Sequence, residues 1–222
     1  MGEFVELAAA DGHHFAAWVA APAGKARGAV VIAPEIFGVN GHIRSVADGY
    51  AADGYLAIAP ALFDRVQRKY DTGYTPDEIQ AGMAIKRQID FDDALKDIAA
   101  AVAHGQQAGQ VGVIGYCWGG TIAWLAAAHL AGLACAVPYY GGNMYDFIEA
   151  TPKCPVMCHF GEHDKSPSPE QARALLAAHP EVIGHFYDAG HGFNCDRRAS
   201  FDARSSELAR SRTLQFLAQH VG

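Results

Sequence analysis

Short runs of β-branched and apolar residues recur along the chain at Phe15 to Val19, Ala29 to Ala33, Leu56 to Ala59, Val111 to Ile114, Ala134 to Tyr139, Val156 to Phe160 and Gly184 to Tyr187. Each is continuous and short, the pattern of a strand buried on both faces. Between them lie segments with helical spacing of apolar positions: Ile43 to Asp53, Pro76 to His104, Trp118 to Leu130, Pro169 to His179 and Ser205 to His220. Strand and helix therefore alternate. Parallel neighbours need crossover connections, and the crossovers cover the sheet, so the pattern predicts an α/β protein with a mostly parallel sheet and helices on both faces. Val5 to Leu7 and Phe15 to Val19 flank Asp11-Gly12 and predict instead an antiparallel hairpin at one edge.

Composition narrows the picture. The chain has 222 residues, 50% hydrophobic and 18% charged, enough to bury one substantial core. No linker, repeat or low-complexity tract interrupts it, so residues 1–222 are expected to form a single domain. A formal charge of -7 argues against nucleic acid as a partner. Met1-Gly2-Glu3-Phe4 has neither a basic n-region nor an apolar h-region, and no apolar run approaches the ~18 residues of a membrane span. The protein is expected to be cytoplasmic and to bind no membrane. Five irregularly spaced cysteines are expected to be reduced, with Cys135, Cys154, Cys158 and Cys195 as small apolar fillers.

In such a sheet ligands bind beyond the carboxyl ends of the strands. Those ends offer Glu35 after Ala29 to Ala33, Cys117 after Val111 to Ile114, Glu162 and Asp164 after Val156 to Phe160, and His191 after Gly184 to Tyr187. Cys117 stands in Gly115-Tyr116-Cys117-Trp118-Gly119-Gly120. Small residues two before and two after a nucleophile permit a sharp, strained strand-to-helix turn, and the next amide, that of Trp118, is free to bind an oxyanion. The helix N-terminus favours the thiolate. A thiol nucleophile needs an imidazole and a third group to orient it, and Cys117, Asp164, His191 follow in the chain order this architecture uses. Asp164 is preferred to Glu162 because it lies further along the loop that must reach His191.

Three other readings fit less well. His159-Phe-Gly-Glu162-His163 matches a zinc-peptidase spacing, but on a strand rather than the helix that spacing needs. The glycines at 112, 115, 119 and 120 miss the G-x-G-x-x-G of a nucleotide-binding module, and no carboxylate follows about 20 residues on. A non-catalytic scaffold would not need all three members of the Cys, Asp, His set.

The segments Pro34-Glu35-Ile36-Phe37-Gly38-Val39-Asn40, Gly115 to Gly120 and Ala189-Gly190-His191 together resemble the dienelactone hydrolase family of α/β-hydrolases, over essentially the whole chain. The resemblance implies the α/β-hydrolase fold and a carboxymethylenebutenolidase type of reaction, cleavage of ester or lactone bonds in a small molecule without a cofactor or metal. It implies Cys117 as nucleophile, His191 as base and acid, and Asp164 as its orienting group. Glu35 is implied to meet the resting thiol and to move as substrate binds, with the amides of Ile36 and Trp118 as the oxyanion hole.

The chain departs from the family where the substrate carboxylate is held. No arginine stands at Ile79 to Met83, Cys195 occupies the position four after His191, and Gly192 replaces a serine. Arg197 and Arg198 read as solvated charges. A pocket lined by Phe37, Trp118, Tyr139 and Tyr140 is therefore expected to take neutral esters or lactones, making a promiscuous arylesterase, active even on phosphotriesters, the alternative. Activity is expected to rise with pH as His191 deprotonates.

Overall fold

The structure, a computed structural model, describes residues 2–222; Met1, the first residue of the opening tetrapeptide, lies outside them. Strands β1 (Glu3–Ala8), β2 (His14–Ala20), β3 (Ala29–Ala33), β4 (Leu56–Pro60), β5 (Val111–Tyr116), β6 (Cys135–Tyr139), β7 (Met157–Gly161) and β8 (Ile183–Tyr187) form one eight-stranded sheet in the order β1-β2-β4-β3-β5-β6-β7-β8. β1 pairs antiparallel with β2 and β2 antiparallel with β4; every other pairing is parallel. The predicted edge hairpin and the predicted parallel sheet are both present.

Successive residues of a strand face opposite sides. On β3, Ala29, Val31 and Ala33 join one core layer, while Val30 and Ile32 join the other. The first layer packs under α3 (Phe91–Gly105), α4 (Trp118–His129) and α5 (Pro169–Ala178); the second packs under α1 (Gly41–Ala52) and α6 (Ala203–His220). Trp118 to Ala128 of α4 is buried throughout, as a helix apolar all round must be.

Local signals set most boundaries. Asn40 caps α1 by accepting from the Ile43 N–H at 3.2 Å, and Ser168 with Gln171 makes a capping box at α5. The helical pattern over Pro76 to His104 resolves into two helices, α2 (Pro76–Lys86) and α3. In the link Gln88 and Ile89 donate three residues back, to the carbonyls of Ile85 and Lys86, and Ile89 is buried as an anchor. No glycine or proline marks that break, so the periodicity alone runs through it. The segment 70–82 packs on the loop after β3: Asp71 bridges Gly38, and Tyr74 meets the Phe37 ring edge-on at 4.5 Å.

Register aligns the carboxyl ends of the central strands. Ala33 pairs with Gly115, Tyr116 with Tyr139, Tyr139 with His159, and Gly161 with Tyr187. The loops that follow carry Glu35, Cys117, Asp164 and His191 to one edge.

Candidate active site

Cys117 joins β5 to α4 with φ 55° and ψ -117°, a left-handed conformation that costs a non-glycine residue about 1–3 kcal/mol. Its neighbours explain how the turn closes. A Cβ on Gly115 would lie 1.8 Å from the Gly119 carbonyl oxygen, and one on Gly119 would lie 2.1 Å from that of Ala33. Only glycine fits either place, and the strand-to-helix reversal then holds Cys117 forward at the helix N-terminus. Its N–H donates to the Tyr139 carbonyl at 3.0 Å, which ties the turn to β6.

His191 and Asp164 arrive from the loops after β8 and β7. The Nδ1–H of His191 donates to Asp164 Oδ2 at 2.8 Å, and Asp164 Oδ1 accepts from the Ser166 N–H at 2.9 Å. Glu162, the other acid considered, turns outward to Arg173 at 2.7 and 2.8 Å. Burial tends to strip the His191 proton, but the charge of Cys117 and the Asp164 carboxylate outweigh it and raise its pKa to about 10. His191 thus keeps its proton through neutral pH. The expected rise of activity with its deprotonation does not follow from this geometry.

Glu35 is buried, and its partner is Arg198, not Cys117. Arg198 Nη1 donates to Glu35 Oε1 at 3.0 Å, and its guanidinium lies 5.7 Å above the Phe37 ring. Arg198 is therefore not the solvated charge its sequence neighbourhood suggested, whereas Arg197 is 65% exposed. Gly192 supplies the reason: φ is +77°, and a Cβ there would lie 2.5 Å from Arg198 Nη1. The missing side chain leaves the path by which Arg198 reaches Glu35.

Cys117, His191 and Asp164 border a cleft of about 420 Å³, with Ile36 and Trp118 also on its wall. Phe37, Tyr139 and Tyr140 do not line it. All three are at most 1% exposed. Phe37 turns back onto Tyr74, Tyr139 shares a 2.7 Å hydrogen bond with Thr213 beneath α6, and Tyr140 packs edge-on behind His191 at 5.1 Å. The expectation that they form the pocket fails because each packs inward, Phe37 into the core layer under α3 and α4, Tyr139 and Tyr140 into the layer under α1 and α6.

The cleft wall that sequence reasoning missed comes from α2, through Met83 and Lys86, and from Asn143. Lys86 Nζ donates to Asn143 Oδ1 at 2.8 Å, and burial lowers its pKa although Cys117 and Asp146 act the other way. The available signal is helical: Lys86 lies about one turn beyond Met83 on α2, just past the arginine-free stretch Ile79 to Met83. His159 and His163 do not meet. His159 is inside the sheet between Tyr187 Oη at 2.7 Å and Thr213 Oγ1 at 3.0 Å, while His163 pairs with Asp188 at the surface.

Known proteins are similar to this chain in sequence and in fold. The model of the dienelactone hydrolase family matches residues 15–221. Carboxymethylenebutenolidase from Pseudomonas putida is 34% identical over 229 residues, covering 97% of this chain and 96% of its own. The crystal structure of a candidate dienelactone hydrolase from Klebsiella pneumoniae superposes with a TM-score of 0.82 at 29% identity, covering 98% of this chain and 99% of that one. A dienelactone hydrolase-like promiscuous phosphotriesterase from metagenomic libraries has the same fold, with a TM-score of 0.80 at 18% identity, over 100% of this chain and 99% of its own.

Proposed function

Since the chain belongs to the dienelactone hydrolase family and is a hydrolase of ester or lactone bonds, we propose that it works through a thioester formed on Cys117. The observation that carries this reading is the charge-coupled set of Cys117, His191 and Asp164 at the mouth of one cleft. Cys117 thiolate attacks the carbonyl carbon, and the N–H groups of Ile36 and Trp118 receive the oxyanion. The His191 imidazolium protonates the departing oxygen as the C–O bond breaks. His191, now neutral, takes a proton from water, whose oxygen attacks the thioester; Cys117 leaves as thiolate and the acid is released. Asp164 holds the imidazole in the tautomer both steps need.

The substrate reading turns on Lys86. Among the described residues the half-buried Lys86 ammonium hydrogen-bonds only the neutral Asn143, while Asp146 and the nucleophile act on its charge without a hydrogen bond. A substrate carboxylate balances it, so the reading favours a lactone or ester that carries a free acid. Ile36, Met83 and Trp118 keep the remainder of the wall apolar and support the second reading, a broader arylesterase acting on neutral esters and, as in the metagenomic relative, phosphotriesters.

The test is kcat/KM for an unsaturated lactone bearing a free carboxylate and for its methyl ester, in the wild type and in Cys117→Ala. Preference for the acid, abolished in the variant, supports the first reading. Preference for the ester supports the second. Full activity in Cys117→Ala on both substrates would remove the thioester mechanism.

A further inference from the structure

Glu35, His42 and Cys195 come from the loop after β3, the first turn of α1 and the loop before α6. One carboxylate oxygen, one imidazole nitrogen and the sulfur lie within 4.8 Å of one another, and all three residues are buried. Two polar atoms of the group, Glu35 Oε2 and His42 Nε2, have no hydrogen-bond partner among the described residues. Their sister atoms are engaged: Oε1 with Arg198, and His42 Nδ1 with Asp196 Oδ1 at 3.0 Å. Leaving one buried polar group unpaired costs about 1–3 kcal/mol, and native structures rarely do so twice in one place. Hydrolysis does not account for the cluster, because neither His42 nor Cys195 borders the cleft of Cys117.

We propose that Glu35, His42 and Cys195 form a binding site for a thiophilic divalent cation of the zinc type. Carboxylate oxygen, imidazole nitrogen and thiolate sulfur are the ligand kinds zinc takes, at roughly 2.0–2.3 Å, so tetrahedral ligands lie about 3.3–3.8 Å apart. Side-chain shifts of about 1 Å bring these three to that spacing. Magnesium and calcium, which prefer oxygen donors alone, are disfavoured. On binding, the S–H bond of Cys195 gives way to a metal–sulfur bond and its proton leaves to solvent.

Around the ligands the supporting groups are already in place. Asp196 accepts from His42 Nδ1–H, which fixes the ring and leaves Nε2 as the donor, the usual outer arrangement of a zinc histidine. Two anionic ligands and Asp196 outweigh the single charge of Arg198. An open cleft of about 460 Å³ that borders His42 gives an ion access, with Asp71 and Glu78 on its wall.

Co²⁺ titration followed by absorption tests the site directly, with Zn²⁺ competition giving affinity and thermal unfolding giving a second readout. The wild type and Cys117→Ala should show a thiolate-to-cobalt band at one ion per chain and a higher Tm with Zn²⁺. Cys195→Ser should show neither, with His42→Gln in its place if that variant does not fold. Asp196→Asn should weaken Zn²⁺ binding about 10- to 100-fold. No band and no Tm shift in the wild type, the result if water alone bridges the three side chains, would overturn the proposal. So would a band that vanishes in Cys117→Ala and persists in Cys195→Ser, because the ion would then sit on the nucleophile. Hydrolysis is measured separately, so either claim can fail without the other.

Discussion

Arg198 and Glu35 stand 163 residues apart in sequence and 3.0 Å apart in space, the guanidinium passing over a glycine to reach a carboxylate that is 1% exposed. This pair replaces the contact with Cys117 that the family resemblance implied for Glu35. Removing one partner of a buried pair strands the other charge, at a cost of about 3–5 kcal/mol. Arg198→Met should therefore lower Tm by roughly 6–12 °C, taking the lower end of that range and the slope for a chain of this size. Adding Glu35→Gln should recover more than half of the loss. Equal Tm in the single and double variants would show that Glu35 carries no charge there.

The pH dependence follows from His191, whose pKa is raised to about 10. Between the ordinary value near 6.5 and 10 the folded protein holds a proton that the unfolded chain has released. The associated stability is present below pH 6.5 and fades as pH approaches 10. On the proposed mechanism kcat/KM falls as pH approaches 10 and the imidazolium titrates. In Cys117→Ala, NMR titration should place His191 well below the wild-type value, because the thiolate charge that raises it is gone. An activity limb rising through pH 6.5, with no fall near 10, would contradict the assignment.

Lys86→Met removes the cation from the cleft while keeping a side chain close to the length of the apolar stem. A hydrogen bond to a charged group is worth about 1.5–3 kcal/mol, so KM for a carboxylate-bearing lactone should rise about 10- to 100-fold. The methyl ester should be little affected. Parallel losses on both substrates would mean that Lys86 shapes the wall without reading the carboxylate.

Gly82 offers a way to move the oxyanion hole from outside the cleft. It lies on α2 with its Cα against the Ile36 carbonyl, and an added Cβ would sit 2.2 Å from that oxygen. Gly82→Ala must push the helix or the Ile36–Phe37 peptide, and the latter shift carries over to the adjoining peptide that bears the Ile36 N–H. Loss of one oxyanion donor costs ~10²-fold or more, so kcat should fall about 10- to 100-fold with KM near its original value. Unchanged kcat in a folded variant would remove Ile36 from the proposed hole.

Sequence by itself carried the architecture because the signals were local and strong. Apolar runs of four to six residues can only be buried strands when helices alternate with them, and Gly115 with Gly119 can flank Cys117 only if the backbone turns sharply there. The positions of Cys117, Asp164 and His191 followed from where strands end. What the sequence left open depended on contacts between distant segments. The break between α2 and α3 has no glycine or proline and is fixed by the buried side chain of Ile89. Phe37, Tyr139 and Tyr140 read as pocket aromatics until the register of β6 and the packing of Tyr74 placed them in the core. Lys86, Arg198 and the cluster of Glu35, His42 and Cys195 acquire meaning only when helices and loops far apart in the chain meet. Side-chain charge and reach are written locally, but which charge is left unbalanced, and beside what, is decided by the fold.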